Sequence, residues 1–252
     1  MIASGQLRAL IDDDGLKGVT SNPAIFEKSI TGSTDYDTAI EQLAAQNKTA
    51  MDIYESLVME DIQSAADVLR SVYEATNGRD GFVSLEVSPY LADDTEGTIE
   101  EGRRLWQAVD RNNVMIKVPA TEAGIPAVRQ LISEGLNINV TLMFSFAVYE
   151  AVAGAYIAGL EDRAAQGCDL SGINSVASFF ISRIDTLVDD LLEKRAGEAV
   201  SDLEQEKIRD LFGQVAIANG TVTYQRYKEL FTSARWQKLA DKGAKTQRVL
   251  WA

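Results

Sequence analysis

Lys117 is the residue of this sequence whose surroundings point most directly to chemistry. It stands in the short apolar run 114–118, which predicts a buried β-strand. Burial strips water from an ammonium group and favours the neutral amine, which attacks carbonyl carbons. The alternative is a lysine that reaches solvent at the strand end or pairs with a carboxylate.

Glu86 is the second candidate, on the polar side of an alternating run over 82–88. Ser84, Glu86 and Ser88 share one face of the predicted strand, and the opposite face is apolar. A carboxylate there can relay protons directly or through water. The alternative is a structural salt bridge, with Lys117 as one partner. Together the two residues suit carbonyl chemistry through an imine, in which the amine condenses and the carboxylate moves protons.

Neutral hydrogen-bonding side chains lie on or directly after two other predicted strands. Asn22 follows the first, and Asn139 and Thr141 lie on the polar face of the run 138–143. They suit substrate hydroxyls or an ordered water. Alternatively, they satisfy neighbouring backbone at the strand ends.

Ser178 and Arg183 flank the point where a predicted strand meets the start of a helix. Backbone donors at a helix start together with a guanidinium form an anion site. The alternative for Arg183 is a surface ion pair with Asp185 or another neighbouring acid. The acidic runs 12–14 and 93–94 are typical of solvated turns, so no metal site is predicted.

The elements that must position these residues alternate between strand and helix. The six predicted strands cover 17–21, 82–87, 114–118, 138–143, 173–179 and 248–251. The predicted helices cover 51–76, 98–111, 123–134, 146–165, 183–195, 202–218 and 224–242. This order predicts an α/β chain with a parallel sheet. Polar groups at several strand ends, without a glycine-rich phosphate loop, favour a (β/α) TIM barrel in one domain over 1–252.

Composition excludes several classes of function. The sequence has no His and one Cys, which rules out His-dependent triads, disulfides within the chain and Cys-based metal sites. With 24 Lys+Arg against 38 Asp+Glu, the net charge of −14 disfavours nucleic acid and anionic membranes as partners. An anionic substrate would need a local cationic pocket. The low Cys content and the lack of a signal-peptide pattern or a membrane-spanning run predict a cytoplasmic protein.

Four segments, at 20–26, 114–121, 137–145 and 178–184, resemble the motifs of transaldolases, members of the class I Schiff-base aldolase superfamily. The resemblance runs in order from about Gly15 to Trp251. The helical insert before the 82–87 strand and the helices after Arg183 resemble the longer bacterial branch of the family.

The resemblance implies a transferase that works without a cofactor. It would move a dihydroxyacetone unit from a ketose phosphate, sedoheptulose 7-phosphate or fructose 6-phosphate, to an aldose phosphate in the pentose phosphate pathway. Lys117 would form the Schiff base, and Glu86 and Thr141 would hold and activate the water that shuttles protons.

The other matching positions imply substrate contacts. Asn22 and Asn139 would bind the dihydroxyacetone hydroxyls, and Ser178 and Arg183 would bind the phosphate. Phe180 would lie beside the imine; the related fructose 6-phosphate aldolases tend to carry Tyr there, which favours the transferase.

The sequence departs from the family at both ends. The family's first-strand aspartate, which precedes a segment like 4–8, has no counterpart, and neither has the eighth strand. We therefore expect a natural polypeptide that is longer at both ends and a (β/α)8 barrel that lacks its first and last strands, with six strands instead of eight. The structure should show either missing segments or an open barrel. The alternatives are a fructose 6-phosphate aldolase, or a non-catalytic fragment that binds sugar phosphate or a partner protein.

Overall fold

The structure is a computed structural model that describes residue 2 and residues 4–252. Within those residues it contains six β-strands and eleven α-helices. The chain forms two compact units. Unit 1 comprises 1–91 and 96–117, and unit 2 comprises 92–95 and 118–252. The prediction of a single domain over 1–252 stays a prediction.

Unit 1 is built on parallel pairing of β1 with β2 and of β2 with β3. Its strands are β1 (Gly18–Thr20), β2 (Phe82–Glu86) and β3 (Val114–Pro119), the last two residues of which belong to unit 2. Its helices are α1 (Gln6–Asp12), α2 (Pro23–Thr31), α3 (Asp37–Ala45), α4 (Ala50–Ala75) and α5 (Thr95–Val109), the first residue of which belongs to unit 2. A single 3₁₀ turn, Pro89–Leu91, follows β2.

Unit 2 pairs its strands in parallel as well, β4 with β5 and β5 with β6. The strands are β4 (Ile138–Met143), β5 (Ser175–Phe179) and β6 (Arg248–Trp251). The helices are α6 (Gly124–Glu134), α7 (Phe146–Ala165), α8 (Ser182–Gly197), α9 (Asp202–Arg209), α10 (Val215–Leu230) and α11 (Ala234–Ala240).

The long helix α4 shows how local sequence fixes these elements. Thr49 and Asp52 form a capping box, in which each side chain accepts from the other residue's backbone N–H. Apolar residues at helical spacing then bury one face, including Leu57, Ile62 and Leu69. The capping box therefore sets where the helix begins, and packing of its buried apolar face stabilises it.

The prediction of an α/β chain with six parallel strands is confirmed, and each strand ends within two residues of its predicted bounds. The predicted helix over 202–218 is wrong, because the chain turns at Gly213, whose φ is 67°, and two helices replace it. The predicted helix over 224–242 is also wrong as a single element, since Ser233 caps a new helix at Ala234. Helices α1, α2 and α3 are not among the predicted helices.

In the part of the chain that the structure describes, we find no helix that is both long and apolar enough to cross a membrane.

Candidate active site

Strands β2 and β3 place Glu86 and Lys117 directly beside each other. The two residues are register partners in the parallel pair, and the Lys117 Nζ donates to the Glu86 Oε2 over 3.0 Å. The side chain of Lys117 is 9% exposed and that of Glu86 is 14% exposed. The salt bridge considered from the sequence is therefore formed, and the same geometry keeps a proton acceptor next to the amine.

Lys117 is buried and has one further hydrogen-bond acceptor besides Glu86. Its strand neighbours Ile116 and Val118 are fully buried on the opposite face of β3. The Nζ also donates to the backbone carbonyl of Ser21 over 3.2 Å. An amine so enclosed, with one carboxylate and one carbonyl as acceptors, is suited to adding to a carbonyl carbon that enters the site.

Asn22 lies next to that carbonyl and caps helix α2. Its Oδ1 accepts from the backbone N–H of Ile25 over 2.8 Å, which fixes the side chain. The backbone role considered for Asn22 is therefore present. It occupies the amide oxygen and leaves the amide nitrogen as a donor.

In unit 2, Asn139 and Ser178 are joined across β4 and β5. The Ser178 hydroxyl donates to the Asn139 Oδ1 over 2.8 Å, and both residues are buried. The two residues lie on neighbouring parallel strands, so their polar groups reach the same side of the pair. They form a buried polar pair that can orient a hydroxyl-bearing ligand.

Thr141 lies two residues after Asn139 on the same face of β4, and its hydroxyl is buried. Its Oγ1 has no hydrogen-bond partner among the residues described. A β-bulge follows at once, and Leu142 adopts a left-handed φ of 62°. An unpartnered buried hydroxyl next to a strained backbone position is typical of functional sites.

Phe180 and Arg183 come together at the start of α8. The Arg183 guanidinium lies over the Phe180 ring, 4.6 Å from its centroid, and the Phe144 ring stacks on the same residue at 5.4 Å. Within residues 2 and 4–252, Arg183 has no ion-pair partner, so the considered pair with Asp185 is not formed. The guanidinium is exposed and lines a cleft of about 380 Å³.

The backbone donors expected at this helix start are partly occupied. The amides of Ile181 and Ser182 both donate to the carbonyl of Ala252, over 2.6 and 3.1 Å. An anion at this point would therefore depend more on the Arg183 side chain than on these amides.

The candidate residues thus fall into separate groups. In unit 1, Lys117, Glu86 and the segment Ser21-Asn22 lie together. In unit 2, Asn139 contacts Ser178, and Phe180 contacts Arg183, whereas Thr141 bonds to none of them.

Sequence reasoning did not single out two contacts of this site. The Ser21 carbonyl accepts from Lys117, and the Phe144 ring stacks on Phe180. No sequence pattern identifies a particular backbone carbonyl as an acceptor. Phe144 directly follows β4 and lies within the segment 137–145 that resembles a transaldolase motif, and these are the signals that could have suggested it.

The protein is therefore an α/β protein whose candidate site is centred on a buried lysine–carboxylate pair, and this pair lies on two neighbouring parallel strands. The model of the Transaldolase/Fructose-6-phosphate aldolase family matches residues 1–250. The chain is 51% identical over 253 residues to "Transaldolase 2" of Nostoc sp. (100% of this chain, 66% of the relative). It is 50% identical to "Transaldolase" of Trichodesmium erythraeum and 49% identical to "Transaldolase" of Thermobifida fusca, again over 100% of this chain and 66% of each relative.

The chain belongs to the transaldolase/fructose-6-phosphate aldolase family. It spans 66% of the length of these relatives.

Proposed function

We propose that this chain carries the imine-forming centre of a transaldolase of the pentose phosphate pathway. Its donor would be sedoheptulose 7-phosphate or fructose 6-phosphate, and its acceptor an aldose phosphate. The observation that carries the proposal is the enclosed Lys117–Glu86 pair at 3.0 Å. The similar proteins named transaldolase support the same activity.

The proposed reaction begins with addition of the Lys117 amine to the ketone carbon of the donor. Glu86 and Thr141 move protons through a water molecule, so that the carbinolamine loses its hydroxyl as water and becomes a protonated imine. Cleavage of the adjacent carbon–carbon bond needs a base that takes the proton of the hydroxyl on the departing carbon, the role of the family's first-strand aspartate, which has no counterpart in this sequence. The step releases an aldose phosphate and leaves an enamine. The enamine attacks the acceptor aldehyde, and hydrolysis of the resulting imine frees Lys117.

The remaining candidates bind substrate in this proposal. Asn22 and Asn139 hold the dihydroxyacetone hydroxyls, and Phe180 packs beside the imine. Ser178 and Arg183 bind the phosphate, and the unpaired guanidinium of Arg183 supports this role. A cationic contact of this kind is what an anionic substrate needs on a chain with a net charge of −14. We place the activity in the cytoplasm, with no cofactor and no nucleic acid.

The test supplies fructose 6-phosphate with or without erythrose 4-phosphate and follows the products by mass spectrometry. A transaldolase forms sedoheptulose 7-phosphate only when the acceptor is present. Release of free dihydroxyacetone without acceptor would instead identify the fructose 6-phosphate aldolase, the second activity in the name of the family. Lys117→Met is the matched variant, and it should form neither product.

A further inference from the structure

A second cleft, of about 340 Å³, lies within unit 1 and has Glu86 in its wall. It lies among helices α2, α4 and α5 and the segment that follows β2. Most of its surface is apolar or aromatic, and that part includes Met51, Tyr54, Val58, Met59, Tyr90 and Leu105. A concave apolar surface of this size with a few charged groups is typical of small-molecule sites.

The charged groups of this cleft are mostly acidic. Four carboxylates line it, against one cation, Arg104, which pairs with Glu55 and Glu101. Glu86 pairs with Lys117. The carboxylate of Glu27 has no partner in the described part of the chain. The cleft therefore has one exposed carboxylate at its wall, Glu27, that is not paired with a cation of the described residues.

The carboxylates of the cleft also affect the pKa of Tyr54, which lies in its wall. Burial raises the pKa of its phenol above the usual 10.0, and the charges of Glu27 and Glu86 raise it further. A nearby anion opposes ionisation of a phenol, which is why the two carboxylates add to the effect of burial.

These properties do not suit a sugar phosphate. Its phosphate would meet carboxylates, and its hydroxyls would face methionine and aromatic side chains that offer few hydrogen bonds. A cation with an apolar body fits both features, because the carboxylates attract its charge and the aromatic rings favour it as well.

We propose that this cleft binds small organic cations with an aromatic body, the ammonium beside Glu27 and the ring against Met51, Tyr54 and Met59. Met51 and Tyr90 are 64% and 91% exposed, so the cleft opens to solvent. The proposal does not depend on the proposed function, since no sugar and no imine take part in it.

The test uses protein labelled with carbon-13 at the methionine methyl groups and titrated with phenethylammonium. The sequence has five methionines, and Met51→Leu and Met59→Leu assign the two signals of the cleft. We expect saturable shifts at Met51 and Met59, and none at Met115 and Met143, which are buried on strands. The absence of a saturable shift at Met51 and Met59 would overturn the proposal.

Charge selectivity is measured with two matched probes, neutral 2-phenylethanol and anionic 3-phenylpropionate. One ion pair at a solvated surface is worth about 1 kcal/mol, so the cation should bind about fivefold more tightly than the alcohol. The anion should bind more weakly than both. Equal affinity for the cation and the alcohol would show a plain apolar pocket and contradict the proposal.

The role of Glu27 is tested with Glu27→Gln, and Glu41→Gln is the control because Glu41 lies on α3, exposed and outside the cleft. Glu27→Gln should reduce the affinity for phenethylammonium about fivefold and leave that for 2-phenylethanol unchanged. Glu41→Gln should change neither. An equal loss in both variants would mean that only the net charge of the protein matters, which would overturn the proposed site.

Discussion

The ammonium of Lys117 lies 3.0 Å from the Glu86 carboxylate, and β2 and β3 hold the two residues in register as neighbours. Both side chains are largely buried. Removal of one member of such a pair leaves the other charge buried without its partner. The pair therefore links the stability of unit 1 to the chemistry proposed for it.

Glu86→Gln should lower the free energy of unfolding. The amide preserves the shape of the side chain but removes the charge opposite Lys117, whose ammonium keeps the Ser21 carbonyl as an acceptor. We expect a loss of about 1–3 kcal/mol, the usual cost of leaving a buried polar group poorly satisfied. Urea unfolding measures it. The control is Glu41→Gln on an exposed helix face, and an equal change in both variants would contradict the account.

Thr141→Val should lower the activity without lowering the stability of the protein. Valine preserves the shape and removes a buried hydroxyl that has no partner among the residues described. The free energy of unfolding should stay the same or rise by about 1 kcal/mol. Loss of the proton relay should slow imine formation about 100-fold. A strongly destabilised variant would show that the hydroxyl has a structural role instead.

Arg183→Gln should weaken the binding of sugar phosphate with little effect on folding. The guanidinium is exposed and has no ion pair in the described chain, so the free energy of unfolding should change by less than about 0.5 kcal/mol. Loss of a charge-assisted contact to phosphate should raise KM about 10- to 100-fold. Steady-state kinetics with fructose 6-phosphate give this value. If KM is unchanged and kcat falls, Arg183 does not bind the phosphate.

Tyr36 should make the stability of unit 1 sensitive to alkaline pH. Its hydroxyl donates to Asp61 over 2.7 Å, and burial followed by this hydrogen bond raises its pKa from 10.0 to about 12. A raised pKa means that the folded state holds the proton more tightly, so the contribution is full below pH 10. It is lost as the pH rises through about 12.

Tyr36→Phe is the matched variant for this prediction. Its free energy of unfolding should fall less steeply than that of the unmodified protein between pH 10 and about 12. Urea unfolding at several alkaline pH values measures both slopes. Identical slopes would mean that the Tyr36–Asp61 contact does not persist in solution.

Local patterns predicted the strands and the position of Glu86 and Lys117, because the two-residue period of a strand fixes which side chains share a face. The bulge at Leu142 could not be predicted, since leucine does not favour a left-handed φ. The acidic cleft could not be predicted either. Met51, Glu86 and Arg104 are far apart in the sequence, and only tertiary packing makes them line one cavity.

Borohydride trapping tests the central claim most directly. The protein is incubated with fructose 6-phosphate, reduced with borohydride and digested, and the modified peptide is identified by mass spectrometry. We expect a reduced adduct on Lys117 and none in Lys117→Met, which should keep its fold although loss of the ion pair lowers its stability. Imine formation precedes cleavage of the carbon–carbon bond, so either the whole sugar phosphate or its dihydroxyacetone part supports the claim. The absence of any adduct on Lys117 in the folded protein would contradict it.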